Sequence, residues 1–274
     1  MSIHPSPEIP ATSLANPRPA GGAPLVWDAT SRDYLEHRPG YPAEFFQILR
    51  QLGVGLAGQS ILDLGTGTGA LAVPFAQHGA KVTATDVSSG QIEAAREAAG
   101  RAGVRVDFRV APSEQTDLPD HGFDVISSSM SWGYFDLARM LDEIPRLLVR
   151  PGLLLLSSLV WVRGRHSVAI KSENLVEQFN PTAGRSFRRE EPEVVPAWSR
   201  ERFRLRSYHH FVAELPFTRE SWRGRLRASR FIAAALPAER AEAFDVEHRV
   251  LLERVAPPRF DLPHDIRLQV FEVK

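Results

Sequence analysis

At 274 residues, 43% of them hydrophobic, the chain can bury a substantial core, which excludes a disordered or fibrous protein. Thirty-three basic residues balance thirty-three acidic ones, so no long-range field gathers nucleic acid or an anionic membrane. With no cysteine, disulfides, thiolate nucleophiles and cysteine-bound metals are excluded and the cytosol is the default compartment; no apolar run approaches the ~20 residues of a membrane span, and no signal pattern opens the chain.

Residues 1–24 carry Pro5, Pro7, Pro10, Pro17, Pro19 and Pro24 with no apolar period, and read as a flexible tail ahead of one domain over 25–274. Phe45, Ile48, Leu49 and Leu52, bounded by Pro42 and Gly53, predict an amphipathic helix. Short apolar strands then alternate with helices: Ile61–Leu64, Val82–Thr85, Val106–Val110, Val125–Ser128 and Leu153–Leu159. That alternation predicts an α/β fold, a mostly parallel sheet with helices on both faces. Ser88 and Gln91 form an S-x-x-Q capping box for the helix after the second strand. Leu137, Met140, Leu141 and Ile144 give the helix after the fourth, which Pro145 is expected to kink or shorten. Val160–Arg200 reads as an irregular insertion with turn signals at Asn180-Pro181 and Ala183-Gly184. With about residues 25–57 it is expected to form a cap, at 160–200. A strand near Phe203–Ala213, helices from Thr218 and Pro237, and a last strand Ile266–Val273 complete the chain.

The informative stretch is Asp63-Leu64-Gly65-Thr66-Gly67-Thr68-Gly69-Ala70, a strand running into three alternate glycines and a helix. Glycines at such a turn let a ligand approach the backbone and the helix N–H groups, which suits a nucleotide-like cofactor. Gly65, Gly67 and Ala70 also fit the dinucleotide form G-x-G-x-x-G/A, with Asp86 placed as the ribose acid, so the glycines alone leave a nucleotide-dependent oxidoreductase open. Asp63 disfavours it: a carboxylate just ahead of the loop repels a pyrophosphate and attracts an ammonium group.

Taken together and in this order, these motifs resemble those of the class I S-adenosylmethionine (SAM)-dependent methyltransferases, from about Trp27 to the end of the chain. The resemblance implies a Rossmann-like, seven-stranded sheet with its last strand antiparallel. It implies that the loop of Asp63, Gly65, Thr66, Gly67 and Gly69 surrounds the methionine moiety, that Asp86 holds the ribose, that Val87 lies against the adenine, and that Ser113 and Glu114 meet the adenine edge. Leu118–Ile126 and Leu147–Gly152 resemble the family's approaches to the fourth and fifth strands. A closer likeness is to methyltransferases with a Tyr…Arg-Pro-x-Tyr-Pro segment, here Tyr34 and Arg38-Pro39-Gly40-Tyr41-Pro42, in which Arg38 is a candidate for the cofactor's carboxylate. Two residues depart from that group: Pro112 in place of an acid, which shifts recognition of the adenine amino group to Glu114 or backbone, and Gly133 in place of a histidine, which removes a possible polar group from the substrate pocket.

On the substrate side stand Met130, Trp132 and Tyr134 after the fourth strand and Trp222 and Arg225 on a later helix, aromatic faces and a cation that suit a small molecule. The resemblance implies methyl transfer to O or N of a small molecule by in-line displacement, with a non-catalytic SAM-sensing module on the same fold as the alternative. No catalytic base is assigned, Tyr34 and His166 being the first to test. The histidines show no metal-ligand spacing, and His248 shares a helix face with Phe244 and Leu251, as a core histidine does. The Arg-rich stretch Arg185–Arg206 is interrupted by glutamates, which predicts a salt-laced surface rather than a nucleic-acid groove.

Overall fold

The computed structural model describes residues 26–183 and 193–274. The tail expected over 1–24, the Gly184 half of one turn signal and the first part of the Arg-rich stretch lie outside them. Seven strands, β1 (Ser60–Leu64), β2 (Lys81–Asp86), β3 (Asp107–Val110), β4 (Phe123–Ser129), β5 (Leu148–Trp161), β6 (Phe203–Thr218) and β7 (Arg259–Val273), form one sheet in the order β3-β2-β1-β4-β5-β7-β6. Strands β1 to β5 pair in parallel, and β7 slots between β5 and β6 antiparallel to both. The helices are α1 (Ser31–His37), α2 (Ala43–Gln51), α3 (Ala72–Gln77), α4 (Ser89–Ala102), α5 (Leu137–Leu147), α6 (Ser167–Phe179), α7 (Arg219–Arg227) and α8 (Ala238–Val255).

Because side chains alternate across a strand, β1 serves two cores at once. Ile61 packs with Phe45, Phe75 and Ile92 of α2 to α4, while Leu62 and Leu64 face Met140 and Ile144 of α5. Burial on both faces is why Ile61, Leu62 and Leu64 do not alternate with surface polar residues, and the one acid among them, Asp63, is itself buried. β1 lies between β2 and β4, so the connections leaving β1 and β4 diverge and open a crevice at the carboxyl edge of the sheet.

Four expectations are corrected. The strands β5, β6 and β7 extend well beyond the apolar runs that predicted them. Pro145 does not end α5, which continues to Leu147; proline has no N–H for the carbonyl four residues back, and Arg202 supplies the donor instead, its Nη1 meeting the Leu141 oxygen at 2.8 Å. Only half of the capping box forms: Ser88 Oγ accepts the Gln91 N–H at 3.1 Å, but the Gln91 amide turns to the Trp27 carbonyl and the Thr30 hydroxyl. The stretch 160–200 is not irregular throughout, since it contains α6, whose Val168, Ala169, Leu175 and Val176 are buried. The described end of the Arg-rich stretch is salt-laced, Arg202 pairing with Asp142 and both Arg204 and Arg206 with Glu272.

Candidate functional site

A cavity of about 610 Å³ lies at the carboxyl edge of the sheet, over the divergence of β1 and β4. Its first half is built by the glycine loop. Gly65 has φ +62°, a region in which an L side chain is strained, and a Cβ there would lie 2.5 Å from that of Ser131. The loop is therefore held against the segment after β4 by the absence of a side chain. Asp63, 2% exposed, ties both together: it accepts the Ser127 hydroxyl at 2.6 Å, the Thr66 hydroxyl at 2.7 Å and the backbone N–H of Ala72 at the start of α3. Burial still outweighs these donors and pushes its carboxyl up to about 6, with Asp86 adding to the rise.

Asp86, at the end of β2, accepts the backbone N–H of Gly67 at 2.9 Å and that of Ser88 at 3.0 Å, which fixes both its oxygens at the cavity wall. Burial pushes this carboxyl upward as well. Val87, 64% exposed, presents an apolar face to the cavity beside it, and Ser113 and Glu114 line the same end. Glu114 is already committed in part, accepting the Asp136 N–H at 3.0 Å at the start of α5.

The second half is aromatic. Trp132 and Tyr134 line it, Trp132 backed by Trp198 at 5.1 Å between ring centres and Tyr134 edge-on to Trp27 at 5.4 Å. Met130 joins them in a left-handed backbone conformation, φ +63°, which few residues other than glycine adopt and which functional sites often retain. Tyr41 belongs to the Arg-Pro-x-Tyr-Pro segment, but nothing in that pattern marks its side chain as part of a site. Its hydroxyl meets Ser129 Oγ at 2.8 Å and Ser157 Oγ at 3.0 Å, bridging the ends of β4 and β5 at the cavity floor, and burial raises its phenol above the ordinary value. Tyr208, Arg230, Arg267 and Gln269 also line this half; they come from β6, β7 and the turn after α7, and no local pattern marks them.

The roof is the amino-terminal segment. Asp28 accepts the Gly90 N–H at 3.1 Å and pairs closely with the Ser88 hydroxyl, so it caps α4 from outside; these hydrogen bonds hold its carboxyl below the usual range. Asp33 of α1 receives the fork of Arg227, which also reaches Asp245 at 2.7 Å, locking α1 onto α7 and α8. Tyr34 and Arg38 are thereby brought over the cavity, with the Arg38 guanidinium 4.9 Å above the Tyr34 ring. From the stretch 160–200, only Val160, Trp161 and Arg163 line the cavity among the described residues. The rest of the cover comes from α7 and its following turn, through Arg225, Ser229, Arg230 and Phe231.

Three candidates lie off the cavity. Gly69 sits behind the loop, packed on Val73 and Ala95. Trp222 is fully buried against Trp161 and Phe217 and donates its indole N–H to Ser172 Oγ at 3.0 Å, so it is a core residue rather than a substrate contact. His166 caps α6 by accepting the Val168 N–H and stacks on Phe260, which removes it as a base candidate. His248 is a core residue as expected, its Nε2 2.9 Å from Ser172 Oγ; burial keeps it neutral, down to about 3. Among the described residues, no helix is long and apolar enough to cross a membrane, and no group of three or more His, Asp or Glu side chains is disposed to hold a metal ion.

Comparison with known proteins agrees with this geometry. A family model described as a methyltransferase domain matches residues 61–152, from β1 into β5. The ubiquinone biosynthesis O-methyltransferase of Pseudomonas aeruginosa is 32% identical over 151 residues, 54% of this chain and 65% of its own length. The enzyme of the same name from Paramagnetospirillum magneticum is 42% identical over 71 residues, 26% of this chain and 28% of its own. The chain thus spans less than two thirds of the curated relatives it matches. YjhP of Escherichia coli superposes with a TM-score of 0.54 at 19% identity, over 89% of this chain and 98% of that one, a likeness of fold alone. Residues 61–152 thus match a methyltransferase domain and lie on a seven-stranded sheet of the order β3-β2-β1-β4-β5-β7-β6.

Proposed function

We propose that the chain is a SAM-dependent methyltransferase that methylates an oxygen or nitrogen of a small molecule. The observation that carries this reading is one cavity with two chemically distinct halves, acids and an open glycine loop at one end and aromatic faces at the other. The residues fit the cofactor by charge and shape. Asp63 is a buried carboxylate whose ionisation is penalised, which an ammonium group arriving beside it relieves. Asp86, both oxygens fixed at the cavity wall, would accept the ribose hydroxyls, Val87 would give the adenine an apolar shelf, and Arg38 would pair with the carboxylate.

When bound, SAM supplies a methyl on a positively charged sulfur, which an acceptor lone pair displaces in line while the sulfur keeps the carbon–sulfur electron pair. The protein's part is then alignment and exclusion of water. Positioning supplies up to ~7–11 kcal/mol, a general base only about 3–5 kcal/mol. The Tyr41 bridge and the Trp132–Trp198 stack fix the walls against which an acceptor lies, and α1, pinned by Asp28 and Asp33, closes the roof. No histidine lines the cavity among the described residues, in keeping with a reaction driven by positioning.

Titration calorimetry with S-adenosylhomocysteine tests the reading. Binding to the unaltered protein, weakened by at least about tenfold in Asp86→Ala, is the expected result, a tenfold loss being what one charge-assisted hydrogen bond to the ribose contributes. No binding, or NADH held more tightly, rejects it.

A further inference from the structure

The arginines of α7 divide by what they meet. Arg223 pairs with Glu220 and with Asp245 at 3.1 Å, and Arg227 with Asp33 and Asp245. Arg225, between them, points the other way, into the cavity, and is 7% exposed. Its guanidinium lies 5.0 Å from the centre of the Trp161 ring, and among the described residues no carboxylate or carbonyl forms an ion pair or hydrogen bond with it. Of the other cavity arginines, Arg163 pairs with Glu173, Arg267 with Asp265, and Arg230 donates to the Tyr134 hydroxyl at 3.2 Å, while Arg38, over the Tyr34 ring, is only half-buried. A guanidinium sealed from water without an anion is costly to keep in a folded protein. Burial and the nearby Arg38 lower its affinity for its proton, to about 10, so it remains a cation at neutral pH.

On the proposed reading the cofactor would lie over β1 and β2 beside Asp63 and Asp86, and its one carboxylate would fall to Arg38, which stands near Arg225; Arg225 itself sits on Trp161 at the end of β5, two strands beyond β1 in the sheet. At about 4.8 Å per strand, that is roughly 10 Å toward the aromatic half.

We propose that Arg225 anchors a carboxylate of the methyl acceptor, so that the acceptor is an apolar or aromatic carboxylic acid whose body lies along Trp132, Tyr134 and Trp161. One fork-shaped guanidinium neutralises one negative charge, which suits a carboxylate better than a dianionic phosphate. The anchor also explains the arrangement of the cavity: a fixed charge at one end and aromatic walls along its length set how far the reacting atom stands from the donor. This inference rests on the methyltransferase reading of the same cavity.

The test uses protein saturated with S-adenosylhomocysteine and titrated with benzoate, benzamide and phenyl phosphate. Benzoate is expected to bind at least about tenfold more tightly than neutral benzamide, and Arg225→Gln to abolish that preference while S-adenosylhomocysteine affinity stays within about threefold. Arg225→Lys is expected to restore part of the preference. Equal binding of benzoate and benzamide, or no binding of either, overturns the proposal on unaltered protein, without need of the variant. Tighter binding of phenyl phosphate overturns the carboxylate assignment, and an Arg225→Gln variant that loses S-adenosylhomocysteine but keeps benzoate reassigns the guanidinium to the cofactor. Failure of S-adenosylhomocysteine to bind the unaltered protein instead rejects the methyltransferase reading itself, so the two failures are distinct.

Discussion

Replacing Asp63 by asparagine separates the carboxylate's electrostatics from its hydrogen bonds. Its proton affinity in the folded protein is raised from 3.8 to about 6, mainly by burial. The folded state therefore holds this proton over a range in which the unfolded chain has lost it, and stability falls as pH rises through that range, levelling off above about 6. A shift of this size corresponds to about 3 kcal/mol in full, of which roughly half falls between pH 5 and pH 8. An asparagine side chain cannot titrate, and whatever it changes in the bonds to Ser127, Thr66 and Ala72 is the same at every pH. Urea unfolding of parent and Asp63→Asn at pH 5 and pH 8 isolates the effect: relative to the variant, the parent should lose roughly 1 to 2 kcal/mol between the two. The variant should also bind S-adenosylhomocysteine at least about tenfold less tightly, because the charge that burdens the free protein is the one an ammonium ligand pairs with. A parent-to-variant difference that stays constant between pH 5 and pH 8 would show that Asp63 is ionised throughout, and the desolvation argument would fail.

Two further outcomes follow from the roof and the floor of the cavity. A methyl group on Gly224 would overlap the His37 ring, so Gly224→Ala should destabilise the protein by about 1–3 kcal/mol, read from thermal unfolding, and speed hydrogen exchange across α1; unchanged exchange there would mean that α1 does not depend on this contact. Tyr41→Phe removes the hydroxyl between Ser129 and Ser157, and should lower kcat/KM for a methyl acceptor about 5- to 30-fold while S-adenosylhomocysteine affinity, measured by calorimetry, changes less than about twofold; equal losses in both would place Tyr41 in cofactor binding instead.

The parts of the fold legible in the sequence are those written locally. Gly65 and Gly67 stand at positive φ at the end of a strand buried on both faces, and Asp136 accepts the Arg139 N–H as a helix cap should. Such features depend on a few consecutive residues, so period and punctuation reveal them. The helix α6 escaped because its inward face is not wholly apolar. Ser172 and Glu173 are buried there, the first meeting the Trp222 indole and His248, the second accepting the Trp161 indole N–H at 2.6 Å and the fork of Arg163. Those polar residues interrupt the apolar stripe, and only their partners on β5, α7 and α8 explain why they are tolerated inside. The same partners draw Trp222 into the core.

The division among the arginines of α7 shows where such reading stops. At positions 223, 225 and 227, the residues are chemically identical and their spacing carries them around the helix rather than along one face. What separates them is the location of acids far away in the chain: Asp33 is 194 residues from Arg227, and Asp245, shared by Arg223 and Arg227, lies on a different helix. Two of the three cations are thus consumed in fastening α1 and α8 to α7. The fastening turns Arg225 inward, where no acid among the described residues pairs with it. The same ion pairs that close the roof leave the Arg225 charge facing the aromatic half of the cavity, so on the proposed reading roof and anchor are a single construction, and loosening the first should weaken the second.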